Sequence, residues 1–173
     1  MRRLVVVVAV LAVVAVSCGG DDGGDTSEIS TPSVEDLLDD PEQAVADLAE
    51  DLEETQQAVG GGSATLTVGD ETWTFSNVLC AFGEEQIQQK GAEFVLSSIQ
   101  EGMQFYVSID SFGHSVTLDD IEDFQNPSVA LEARGPGDFI KLDGKNASGT
   151  GGFVDGTSDD FAETEGSFEA TCP

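Results

Sequence analysis

A chain of 173 residues in which 34 acids stand against six bases, with a formal net charge of −28, cannot build the basic patch that neutralising nucleic-acid phosphates requires. The same charge sets the body of the protein against anionic lipid head groups, so electrostatics cannot hold it on a membrane. Its length suits one modest domain, and its acids run through the whole sequence instead of gathering in a disordered acidic tail.

At the start of the chain, Arg2 and Arg3 form a short basic head, followed by an uninterrupted apolar run from Leu4 to Val16. Ala15-Val16-Ser17 then places small residues directly before Cys18. This is the three-part layout of an export signal, with an apolar run too short for a bilayer span of about 20 residues. Small residues before a cysteine at the cleavage point resemble the bacterial lipobox. That likeness implies removal of residues 1–17, thioether lipidation of Cys18 and acylation of its freed amine. The competing reading is an ordinary secretory signal that happens to contain a cysteine.

Gly19-Gly20-Asp21-Asp22-Gly23-Gly24-Asp25 argues for the lipid, because a protein held at its first residue needs a polar leash. Residues 18–33 form this tether, rich in hydroxyls and without apolar periodicity. Fully extended it reaches roughly 50 Å, at about 3.3 Å per residue. The expected location is the outer face of the cell membrane, with the membrane a partner only through the lipid.

Residues 34–59 read as an acidic amphipathic helix. Asp40-Pro41-Glu42-Gln43 fits a helix start, with Asp40 as N-cap, Pro41 in the first turn and Gln43 closing a capping box. Val45, Leu48, Leu52 and Val59 fall on one stripe with Ala49 and Thr55 beside it, and Gly60-Gly61-Gly62 ends the run. The opposite face is nearly all acid, with no lysine for i,i+4 pairs. Such a helix must dock its apolar stripe, either on the domain that follows or on a twin helix; the oligomeric state is open.

From Ser63 onward the period changes to two, with turn residues every eight to twelve positions. Leu66 and Val68 alternate with threonine, Gly69-Asp70 turns the chain, and Trp73 and Phe75 alternate on the return. Phe94 and Leu96 pair across Glu101-Gly102 with Phe105, Val107 and Ile109. Val116 and Leu118 follow, then Val129, Leu131 and Ala133, then Ile140 and Leu142 before Gly144, and finally Phe168, Ala170 and Cys172. Residues 63–173 are therefore expected to be an all-β domain, a small antiparallel β-sandwich or partly open barrel.

With Cys18 lipidated, Cys80 and Cys172 remain, and two cysteines allow one intramolecular pairing, oxidised outside the cytoplasm. Cys172 shares parity with Phe168 and Ala170, so the bridge would pin the second strand to the last. The alternative is a metal or catalytic thiol pair, but neither cysteine sits in a CxxC and no histidine lies beside them.

The stretch from Ala64 to Cys80, ATLTVGDETWTFSNVLC, resembles the opening hairpin of the mycobacterial nineteen-kilodalton lipoprotein antigen family, in which a cysteine also ends the second strand. Phe139 to Gly152 resembles that family's late strand-turn-strand, and Ser167 to Cys172 its terminus. Residues 85 to 135 match poorly, and the acidic helix and extreme charge are departures. The resemblance implies a surface-exposed, immunologically visible lipoprotein with a disulfide-closed β domain and no established enzyme activity.

The residues offer little chemistry. His114, the only histidine, stands between two expected strands, flanked by Phe112, Gly113 and Ser115, and reads as a turn residue; a triad with Ser111 or Ser115 and Asp110 lacks any nucleophile elbow. Paired carboxylates such as Glu84-Glu85 and Asp119-Asp120 arise from composition alone, so they do not mark a glycosidase. Asp155-Gly156-Thr157-Ser158-Asp159-Asp160 offers hard oxygens for weak calcium binding, without the spacing or final Glu of an EF-hand. No cofactor motif is present: the glycines from Gly149 to Gly156 lack the lysine of a phosphate loop.

Three readings stand. The first is a non-catalytic envelope lipoprotein that binds or presents something outside the membrane, its envelope or extracellular partner unknown. The second is a carrier with an apolar ligand in a Phe-lined core cavity; the third is a secreted hydrolase that needs His114 beside an acid and a hydroxyl. Dispersed acid at this density costs stability through self-repulsion that salt screens, which points to a salt-tolerant or halophilic source. Solubility alone is the plainer account of the acidity.

Overall fold

The computed structural model describes residues 41–123, 125–135, 137–159 and 161–173. The expected signal, Cys18, the tether and residues 34–40, Asp40 among them, lie outside the described residues. Helix α1 (Pro41–Val59) leads into β1 (Gly62–Val68) and β2 (Glu71–Phe82). A single turn, α2 (Gly83–Ile87), precedes β3 (Phe94–Gln100), β4 (Met103–Asp110) and β5 (Gly113–Asp120). The chain ends in β6 (Ala130–Gly135), β7 (Ile140–Asp143), β8 (Asn146–Asp155) and β9 (Glu163–Thr171).

Every strand pairing is antiparallel. The meander β1 to β6 closes on itself because β6 also pairs with β8, at Leu131 with Asp155 and Glu132 with Val154, while β9 returns to β1. Eight strands thus form a ring, and β7 lies outside it, bonded only to β8. The expected sandwich or part-open barrel is corrected here to a closed barrel, since the β1–β9 ladder joins the strands into one sheet and the β6–β8 pairing closes it. Eight strands enclose an interior just wide enough for side chains to fill. Phe75 stacks on Phe105 at 5.0 Å between ring centroids, and Phe105 meets Phe168 edge-on at 6.0 Å. Leu66, Phe94, Leu96, Val107, Val116 and Leu118 complete a fully buried core around them.

Strand β8 had no period-two signal of its own; only the family resemblance pointed to its first half. Its glycines erase the alternation, and packing explains one of them. A Cβ on Gly149 would sit 2.6 Å from the Phe168 ring, so the ring occupies the space a side chain would need.

Two ladders of the barrel are incomplete, and side chains finish both. Asn77, at φ +56°, is a bulge that hands β2 from β1 to β3: residues 71–76 and 78 pair with β1, residues 79–82 with β3. The upper part of β3, paired with β4 on one side, has no ladder to β2 on the other. Ser98 Oγ donates to Ser76 O (3.0 Å), and Gln100 Oε1 accepts from Ser76 N (3.1 Å). Helix α1 covers the rest, with Gln56 Oε1 accepting from the Ile99 amide at 2.6 Å. The helix therefore docks in cis on β2 and β3. Its docked line includes buried Ala49, half-buried Leu52 and buried Gln56, so a polar residue outside the predicted apolar stripe makes the closest join. Gly60 passes so close to Asn77 O that no Cβ fits there.

Cys80 in β2 and Cys172, the residue after β9, are disulfide-bonded, their Cα atoms 5.8 Å apart and the cysteines 92 residues apart in sequence. Both β2 and β9 flank β1, so the bridge crosses the start of the first strand and ties together its two neighbours.

Candidate functional site

The second incomplete ladder lies where β6 gives way to β7. Both run antiparallel to β8, but Leu131 pairs with Asp155 while Ile140 pairs with Gly149, so the register shifts by three residues between β6 and β7. β7 pairs with β8 alone, and the Ile140 amide has no strand partner. His114, second residue of β5, points inward and accepts that amide at Nδ1 (2.9 Å). Its ring lies 5.4 Å from Phe139, and Nε2 is 3.7 Å from the fully exposed Asp138. His114 is thus not the turn residue that its flanking sequence implied. An acid stands beside it, but Nδ1 is held by backbone and no hydroxyl bonds to the ring among the described residues.

The outer face of β2-β1-β9-β8 presents a different surface. Strand register lines up Ser76, Ser63, Thr171 and Asn146 in one row across the four strands. The next row is Thr74, Thr65, Glu169 and Ser148, extended by Lys141 of β7, and the third is Thr72, Thr67, Ser167 and Thr150. The hydroxyls therefore form a grid about 4.8 Å across the strands and about 6.7 Å along them. Thr67 and Thr72 share a hydrogen bond of 3.1 Å, and Thr171 Oγ1 donates to Asn146 Oδ1 at 3.1 Å. The hydroxyls of Thr65, Ser148, Thr150 and Ser167 have no protein partner among the described residues.

Two grooves lie over this face, of about 290 Å³ and about 550 Å³, and both are lined by Thr65, Lys141, Ser148 and Glu169. Phe139 reaches the smaller one. The sequence carried the raw signal, since alternating threonines at 65, 67, 72 and 74 are plain. Which strands stand side by side was not readable, so twelve scattered polar residues could not be seen as one surface.

The acidic loop places Asp155 where its Oδ1 accepts from both Thr157 N (2.8 Å) and Thr157 Oγ1 (2.7 Å), so this carboxylate shapes its own turn. Asp160 lies outside the described residues. Among the described residues no three His, Cys, Asp or Glu side chains gather as a cation cage. No helix among them is long and apolar enough to cross a membrane. No family model matches the chain, and neither a curated protein nor a solved structure is significantly similar to it.

Proposed function

We propose that the chain is an exported envelope lipoprotein, held at the outer face of the cell membrane by lipid on Cys18, whose β domain binds or presents at the surface without catalysis. The observation that carries this reading is the run Arg2-Arg3, Leu4–Val16, Ala15-Val16-Ser17-Cys18, followed at once by a polar tether. A disulfide spanning 92 residues supports it, because such bridges persist in oxidising compartments outside the cytoplasm. The likeness of residues 64–80 and 167–172 to the mycobacterial nineteen-kilodalton lipoprotein antigen family is in keeping with the same role. The carrier reading loses support from the Phe75–Phe105–Phe168 chain, which takes the place a core ligand would need. The hydrolase reading loses support from the backbone hold on His114 Nδ1.

Intact mass of the protein extracted from membranes in detergent tests the proposal. The expected mass is that of residues 18–173 less two hydrogens for the bridge, plus a thioether-linked glyceryl group carrying two acyl chains, with or without a third on the amine. An unmodified chain cut elsewhere would make this a freely secreted acidic domain.

A further inference from the structure

We infer that the hydroxyl face of β2-β1-β9-β8 is a binding surface for an uncharged polyhydroxylated polymer, a neutral glycan chain lying in the two grooves. The inference rests on the proposed export only for where such a polymer is met. Its warrant is the face itself. A charged polyanion is repelled by a molecule of net charge −28, and a polycation would find acids on loops and helix everywhere. A neutral chain is the ligand class for which the face, and not the global field, decides binding.

The chemistry fits that class. Thr65, Ser148, Thr150 and Ser167 point outward with both donor and acceptor capacity unspent, so each can exchange a water for a sugar hydroxyl at nearly constant hydrogen-bond count. Threonine methyl groups between the hydroxyls offer apolar contact to the C–H faces of a sugar ring. Phe139, half-buried at the smaller groove, offers an aromatic one. Lys141 and Glu169 stand in the middle row, one donor and one acceptor to fix the orientation of the chain. β-propensity accounts for threonine on an exposed strand, but serine is not a strand former, and it fills four of these positions: Ser76, Ser63, Ser167 and Ser148.

Native affinity electrophoresis tests this on the full mature chain, extracted in a polyoxyethylene detergent so that no sugar head group competes. Gels would contain dextran, mannan or a soluble β-glucan, with a chitosan gel as the cationic comparison. Retardation by at least one neutral polymer is expected. In the double variant Thr65→Val/Ser148→Ala, and separately in Thr150→Ala, it should weaken; two lost hydrogen bonds correspond to about tenfold or more in affinity. Ser115→Ala, on β5 away from the face, should bind as the parent does, and every variant should keep its parent mobility in polymer-free gels. No retardation by any of the three neutral polymers overturns the inference. So does retardation by chitosan alone, or equal loss in Ser115→Ala. A chain that binds but carries no acyl groups would keep this inference and remove the anchor, and an acylated chain that ignores all three polymers would do the reverse.

Discussion

The carboxylate of Asp120, at the end of β5, accepts from the amides of Glu122 and Asp123 at Oδ1 and from the amide and hydroxyl of Ser128 at Oδ2. One side chain thereby folds the β5–β6 connection. Partial burial pushes its carboxyl up, but the donors of Ser128, Asp123 and Glu122 outweigh that and hold it below the usual Asp range. Asp119 is the reverse case: burial pushes its carboxyl up, a hydrogen bond from Thr117 opposes this, and the charge of Glu132 adds to the rise. The linkage signs follow. Asp120, depressed in the folded state, contributes stability that is present above its unfolded value of about 3.9 and lost as pH falls through the folded one. Asp119, raised when folded, contributes stability that is fully present below that unfolded value and lost as pH rises through the folded one. Asp120→Ala should therefore cost about 1–2 kcal/mol near neutral pH and less in acid, while Asp119→Asn should be neutral or stabilising near neutral pH. Urea midpoints at about pH 7 and about pH 2 distinguish the two. Neither role was legible in the sequence, where the pair reads as one more acidic doublet.

At the scale of elements, the closed ring depends on side chains at its two imperfect seams. Gln56 and His114 each supply an acceptor to a backbone amide that no strand reaches, at Ile99 and Ile140. A buried amide left without a partner carries a desolvation cost of about 1–3 kcal/mol, which is why polar residues occupy these otherwise apolar places. Hydropathy assigns Gln56 to the solvent side of a helix and His114 to a turn, so periodicity was silent on both. The covalent tie was legible, because two cysteines outside the expected lipid site leave one pairing. A bridge spanning 92 residues stabilises by about 4–5 kcal/mol in the chain-entropy account. Cys80→Ser should lower stability by a comparable amount, and reduction of the parent should reproduce the loss. A variant with the parent's urea midpoint would show that the barrel ladders alone close the fold.

For the molecule as a whole, the governing term is charge. Among the described residues the ion pairs are sparse: Arg134 meets Glu132 at 2.7 Å on the surface, and His114 lies 3.7 Å from Asp138. Most acids have no cation near, so their mutual repulsion falls on the folded state until salt screens it. The Debye length shrinks from about 8 Å at 0.15 M to about 3 Å at 1 M, and melting temperature should rise by roughly 5 °C over that range. A flat response would remove self-repulsion as a force in this protein and with it the case for a saline habitat.

The sequence by itself determined those features that local chemistry dictates. Alternation placed most of the strands and their inward residues, Gly69-Asp70 and Glu101-Gly102 set two hairpins, and cysteine count left one disulfide. Only the tertiary structure decided the rest: that the sheet closes into a ring, that Gln56 and His114 complete it, and that hydroxyls from four strands meet in one face. Closure depends on which edges find each other across long stretches of chain, as Ser63 of β1 finds Thr171 of β9. A period-two pattern records which side of a strand is buried, but it carries no information about the neighbour that strand will choose.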